Sequence, residues 1–176
     1  MNQHEPLSSP SPVLGLAAFS GVGKTTLLRA LIPLLQQRGV MVAVIKQTHH
    51  HFEIDTPGKD SYQLRMAGAR EVLLTSPYRD TVITEKAEER PLSLQQSLQK
   101  LDLTACDLIL VEGFRQQPFP KIELHRPELN HPLLSTDDRS IIAIATDSPQ
   151  QITTTLPRLP LSQPSTICDF ILLWLD

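Results

Sequence analysis

The stretch that most restricts the fold runs from Val13 to Gly39, "VLGLAAFSGVGKTTLLRALIPLLQQRG". It opens as a short continuous apolar run, passes through a glycine-rich turn, and continues with Leu27, Leu28, Leu31, Leu34 and Leu35 at helical spacing before Gly39 supplies a stop. That is strand, loop, helix. Pro33 lies inside the helical pattern and is expected to kink it or loosen one turn, because it lacks a backbone donor.

The turn nearly matches G-x-x-x-x-G-K-[ST], with Gly21, Gly23, Lys24 and Thr25 in place and Ala18 where the first glycine would stand. Such a loop turns backbone N–H groups toward phosphates, uses glycine where side chains would collide, and brings a lysine to the β/γ charge and a hydroxyl to Mg²⁺. The sequence therefore predicts a nucleotide site over Ser20, Gly21, Val22, Gly23, Lys24, Thr25 and Thr26.

Further along, "VMVAVIKQT" reads as an apolar strand of the kind that suits a parallel sheet covered on both faces, "CDLILVEGF" as a second strongly apolar strand, and "KIELHR" and "SIIAIATD" as further strands. "SYQLRMAGA" reads as a short helix closed near Gly68, and "REVLLTS" and "DTVITEK" as two strands joined through "PYR". "PLSLQQSLQKL" reads as a helix with Pro91 as its first residue. The last helix, "STICDFILLWLD", puts Ile167, Phe170, Ile171 and Trp174 on one face. Alternating strands and helices predict an α/β fold, P-loop NTPase-like, with a mainly parallel sheet flanked by helices and a small antiparallel hairpin extension. Ligands of such sheets bind at the carboxyl ends of the strands. No repeat or hinge composition divides the chain, so residues 13–176 are expected to form one domain behind a loose polar tail, 1–12.

Several residues at strand ends are candidates for the same site. Glu112 closes "DLILVEG", where a P-loop protein needs an acid for Mg²⁺; the alternative is a solvent carboxylate at a strand end. Asp107, at the other end of that strand, suits a structural role at the entry turn. Pro57, Gly58, Lys59 and Asp60 form a turn and helix start that either reaches nucleotide phosphates or merely caps the next helix, through Asp60 or Ser61. Asp147, after "IAT", is the acid placed to accept from guanine N1 and N2, against the alternative of a capping turn before Pro149. His49, His50 and His51 alternate in direction along an extended segment, which favours a polar rim or anion contact over a metal centre.

Composition narrows the classes. A chain of 176 residues with 40% hydrophobic and 20% charged content suits one soluble core, and a formal charge of -3 with no Lys/Arg block argues against nucleic acid. Cys106 and Cys168 match no disulfide or zinc spacing and read as two reduced buried thiols. The apolar run Val13–Phe19 is far short of the ~20 residues that span a bilayer, and the start lacks a signal peptide's basic region, so a cytoplasmic protein without a membrane partner is expected.

"FSGVGKTTLL", "VIKQTHH", "DTPGKDSYQLRMAGA" and "DLILVEGF" occur in that order. Together they resemble the MobB family of molybdopterin-guanine dinucleotide biosynthesis adapter proteins, from about Val13 to the C-terminus. The resemblance implies GTP and Mg²⁺ as ligands, weak intrinsic GTPase activity, a homodimer, and assistance to a molybdenum cofactor guanylyltransferase and other cofactor-biosynthesis proteins. It also implies that Ser20 to Thr26 hold the phosphates, Thr25 and Glu112 serve Mg²⁺, and Pro57 to Asp60 form a second nucleotide-contacting loop.

For strong hydrolysis the chain would need a water-orienting group and a transition-state cation. Gln47, Gln116, Gln117 and Arg115 are available, but the spacing selects none of them, so slow turnover alone and faster turnover with a partner is the expectation. A small-molecule kinase would carry an arginine-rich lid that the scattered arginines do not form, and a metal-delivery GTPase would carry a CxxC or longer histidine run.

Overall fold

The structure, a computed structural model, describes residues 7–48 and 51–176. In chain order the elements are β1 (Val13–Ala17), α1 (Lys24–Gln37), β2 (Val42–Lys46), α2 (Asp60–Met66), β3 (Glu71–Thr75), β4 (Asp80–Thr84), α3 (Leu94–Leu98), β5 (Leu108–Glu112), β6 (Lys121–Leu124), β7 (Ile141–Ala145), β8 (Arg158–Leu159) and α4 (Pro164–Leu175). Their contacts divide the chain into two compact units, residues 1–47 with 93–176, and residues 48–92.

The larger unit holds a six-stranded sheet in the order β2-β5-β1-β6-β7-β8, with every pairing parallel. β1 is central because all five of its residues are apolar or glycine and all are buried. One face, carrying Leu14, Leu16, Leu110, Ile122 and Leu124, packs on Leu27, Leu28, Leu31 and Leu35 of α1 and on Ile167, Cys168 and Ile171 of α4. The other face carries Val13, Ile45, Ile109 and Val111 against Leu94 and Leu98 of α3, Phe114 and Phe119. A mainly parallel sheet covered on both faces, with a separate antiparallel pair, is the architecture the sequence predicts.

Details differ from expectation where local chemistry was stronger than pattern. α1 runs unbroken through Pro33, which is exposed, as is Arg29, whose carbonyl loses its helical partner to solvent. α3 starts at Leu94 rather than Pro91, because Ser93 and Gln96 form a capping box in which each side chain takes the other's backbone N–H. In α4, Ile167 and Ile171 are buried, Phe170 and Trp174 only pack on the core's margin, and Cys168 joins the buried face. The tail is not loose throughout: Ser8 exchanges two hydrogen bonds with the Gln95 side chain, and the buried Ser11 donates from its hydroxyl to the Cys106 carbonyl at 2.6 Å. Both cysteines are free thiols, Cys168 buried and Cys106 partly so. Asp107 has the entry-turn role expected of it, accepting from the Met41 N–H at 2.7 Å.

β6 is unusual in burying charge in mid-sheet. Lys121 and Glu123 are each 1% exposed. Lys121 bonds Asp138 and Ser140, and Glu123 accepts from the backbone N–H groups of Leu134 and Ser135 at 2.7 and 2.9 Å. A buried carboxylate is tolerated when donors satisfy it, and here they come from the turns between β6 and β7. Asp138 is desolvated, which raises its pKa, yet bonds from Ser140 and Lys121 outweigh this and hold it below the usual carboxylate range.

In the unit 48–92, β3 and β4 pair antiparallel from Glu71 opposite Thr84 to Thr75 opposite Asp80. The turn between them is fastened by Ser76, whose hydroxyl accepts from the N–H groups of Tyr78 and Arg79. Arg65 of α2 is buried and ion-paired with Glu53, Asp55 and Glu85. Among the described residues, no helix is long and apolar enough to cross a membrane.

Candidate nucleotide-binding site

Because the sheet is parallel, the ends of β1, β2, β5, β6 and β7 emerge along one edge, and the register sets which side chains meet there. Glu112 lies level with Leu16 of β1 on one side and with Lys46 of β2 on the other. β1 then runs into Ser20–Gly23, and α1 starts at Lys24. Gly23 sits at the N-cap position with φ 113°, a conformation that side-chain-bearing residues rarely adopt, and Gly21 has φ 80°. No side chain caps α1, its first turn contains no acid, and its first intrahelical bond is Leu27 N–H to Gly23 C=O at 2.9 Å. The N–H groups of Lys24, Thr25 and Thr26 thus have no intrahelical acceptor, and with the helix dipole they suit an anion. Ala18, where the pattern has glycine, does not have a positive φ, so alanine fits there.

Lys24, Lys46 and Arg115 bring positive charge to the start of the helix. The Lys24 ammonium donates to the carbonyls of Ala18 and Phe19, both at 3.1 Å. Burial lowers its pKa; the nearby charge of Glu112 opposes the shift, while Lys46 and Arg115 reinforce it. Lys46 Nζ lies 3.3 Å from Glu112 Oε2 and 3.5 Å from Thr25 Oγ1. The guanidinium of Arg115 stands 5.2 Å from the Phe19 ring centroid, and the Phe19 ring also stacks on His131 at 4.3 Å.

Thr25 Oγ1 lies 3.4 and 3.5 Å from the two Glu112 oxygens. The Thr25 hydroxyl and the Glu112 carboxylate form an oxygen-donor pair whose chemistry fits Mg²⁺, with the Lys46 ammonium as their cationic neighbour in this structure. The structure therefore brings together Lys24, Thr25 and Glu112, as the sequence predicts, and adds Lys46 to them. Gly113 makes the close approach possible, since a Cβ there would stand 2.5 Å from Gln47 Cβ. Gln47 is occupied by that packing: its Oε1 accepts from the Phe114 N–H at 2.8 Å and its own N–H bonds the Glu112 carbonyl.

The other candidates are placed as follows. Asp147 accepts from the Ser162 N–H at 2.7 Å through Oδ1, while Oδ2 lies 3.9 Å from Arg126. Pro57, Gly58, Lys59 and Asp60 are exposed in the unit 48–92. The capping role considered for Asp60 or Ser61 is corrected: Lys59 holds the cap position of α2 without a side-chain bond, Asp60 is the first helical residue, and the Ser61 hydroxyl donates to Asp55 instead. His49 and His50 lie outside the described residues, and His51 is exposed. Arg126, just past β6, has no sequence signal, yet its Nε donates to the Val22 carbonyl of the loop at 3.1 Å.

The model of the family described as Molybdopterin guanine dinucleotide synthesis protein B matches residues 13–147. The chain is 43% identical over 169 residues to the molybdopterin-guanine dinucleotide biosynthesis adapter protein of Haemophilus influenzae, covering 96% of this chain and 92% of that one. To the protein of the same description from Escherichia coli it is 42% identical over 166 residues, covering 94% of each. A crystal structure of molybdopterin-guanine biosynthesis protein B aligns with a TM-score of 0.69 at 26% identity, over 92% of this chain and 99% of that one. The crystal structure of Bacillus subtilis MobB aligns at 0.72 and 23% identity, over 94% and 98%, a likeness of fold.

Proposed function

The chain belongs to the molybdopterin guanine dinucleotide synthesis protein B family, and from that membership we propose that it is a GTP-binding adapter in molybdopterin-guanine dinucleotide biosynthesis, with Mg²⁺ bound beside the nucleotide. The observation that carries the nucleotide reading is the uncapped start of α1 behind Gly23, with Lys24, Thr25 and Glu112 gathered at it. The loop N–H groups and Lys24 hold the phosphates, Thr25 and Glu112 hold the metal, and Lys46 and Arg115 add positive charge. Bound there, Mg²⁺ supplies neutralisation of β/γ-phosphate charge. Asp147 retains acceptor capacity beyond its bond to Ser162 and takes the guanine N1 and N2 donors in this reading. Pro57 to Asp60 serve as a second nucleotide-contacting loop, by analogy with the family alone.

Turnover alone is slow in this reading and faster with a partner, because strong hydrolysis needs a water-orienting group and a transition-state cation, and nothing selects one among Gln47, Gln116, Gln117 and Arg115. The function is then binding and release in step with a guanylyltransferase partner, in the cytoplasm. A homodimer is supported by the apolar side chains that the unit 48–92 leaves exposed, Leu73 and Val82 among them.

Equilibrium titration with GTP and ATP, with and without Mg²⁺, tests the reading. At least tenfold preference for GTP, about 1.4 kcal/mol, and tighter binding with Mg²⁺ are expected. Lys24→Ala is expected to abolish tight GTP binding; undiminished affinity in that variant would remove the phosphate-cradle assignment.

A further inference from the structure

Arg126 extends from the end of β6 to the phosphate loop, and its contacts bear on a backbone group it does not touch. Its Nε donates to the Val22 carbonyl at 3.1 Å, while Nη1 lies 3.6 Å from Glu128 and 3.9 Å from Asp147. The Val22 carbonyl and the Gly23 N–H belong to one peptide plane, and in a trans peptide they point in opposite directions. Holding the carbonyl on the Arg126 side therefore directs the Gly23 N–H to the other side of the loop. That peptide needs holding: Gly23 at φ 113° and nearby Gly21 have no Cβ to bias the backbone, so the chain would otherwise sample several orientations. Val22 is buried and anchors the plane from its other end.

We propose that Arg126 is a positioning residue that fixes the Val22–Gly23 peptide with its N–H turned for phosphate, and so sets the affinity of the loop for the phosphate chain. The proposal rests on the nucleotide reading above for its ligand, though the geometry in the free protein stands apart from it. Arginine suits the task because its planar fork can donate from Nε to a carbonyl while another nitrogen pairs with acids. Lysine has a single ammonium and cannot span both from one stem.

The test uses the full chain and two ligands, GTP and inorganic tripolyphosphate, with wild type, Arg126→Ala and Arg126→Lys compared by titration calorimetry. The Gly23 amide is followed by ¹⁵N NMR in the ligand-free proteins. Arg126→Ala is expected to weaken both ligands by the same factor, about tenfold or more, and to broaden or shift the Gly23 resonance. Arg126→Lys should restore neither. Equal tripolyphosphate affinity in Arg126→Ala, loss confined to GTP, or full rescue by lysine would each overturn the proposal, the last two by pointing to base contact or to charge alone. Should Arg126→Ala fail to fold, the lysine variant decides. If wild type binds neither ligand, the nucleotide reading fails, and an unchanged Gly23 resonance in the variants would separately overturn the positioning role.

Discussion

The sheet unit and the unit 48–92 differ in what they bury. In the sheet unit leucines and isoleucines are sealed between strands and helices, and Lys121 and Glu123 of β6 are buried with them, while Lys46 and Glu112 pair at the strand ends. In the unit 48–92, Arg65 is the one buried residue among those described, surrounded by three carboxylates, while Phe52, Ile54, Leu64, Met66, Leu73, Tyr78 and Val82 are exposed. The difference teaches that the two parts are stable for different reasons. Burial of apolar area stabilises the first, whereas a two-stranded hairpin with an uncovered apolar face is marginal alone and gains stability by covering that face.

The largest expected effect separates the two at once. Leu31 is fully buried between α1 and the sheet, and Leu31→Ala is expected to cost about 2–5 kcal/mol in urea unfolding. Leu64, 57% exposed on α2, has no comparable packing, and Leu64→Ala should stay within about 0.5 kcal/mol. Equal losses would mean that the unit 48–92 hides a core of its own, and the comparison would fail.

A smaller effect on folding, with a clear effect on association, is expected at the hairpin. Leu73 and Val82 are directly paired across β3 and β4 and each is 62% exposed, so they form one apolar patch on the same face. Replacing both with serine is expected to weaken self-association at least tenfold in sedimentation experiments and to change monomer stability little. A wild-type chain that stays monomeric at high concentration, or a double variant that still dimerises, would detach this face from the dimer.

The same contrast explains what the sequence made legible. Long apolar runs identified the sheet, because burial on both faces leaves continuous hydrophobic segments. The loop was readable because a glycine-rich turn between an apolar run and periodic leucines marks a strand, a turn and a helix start. "KIELHR" alternates apolar with charged residues, a pattern that ordinarily means a half-exposed strand; the turns from 127 to 140 cover that face and satisfy Lys121 and Glu123, a tertiary fact with no local signal. Arg126 escaped notice for the same reason, since its partner Val22 is 104 residues away. In "SYQLRMAGA" the helix was legible but the burial of Arg65 was not, because the acids that converge on it, Glu53, Asp55 and Glu85, lie 10 to 20 residues away.

The smallest expected effect is acid sensitivity of that arginine cluster. Hydrogen bonding from Arg65 holds the Glu53 carboxyl below its ordinary range, assisted by the Asp55 N–H. A carboxyl whose folded pKa is depressed contributes stability that is fully present above its unfolded pKa, about 4.3, and is lost as pH falls through the lower folded value. Hydrogen exchange in residues 51–92 should therefore accelerate as pH drops below about 4, after correction for the intrinsic rate, and Glu53→Gln should flatten that dependence. An unchanged acid profile in the variant would mean that Asp55 and Glu85 satisfy Arg65 by themselves. The cluster would then be redundant in charge, with Glu53 dispensable and Arg65 held by the two remaining carboxylates.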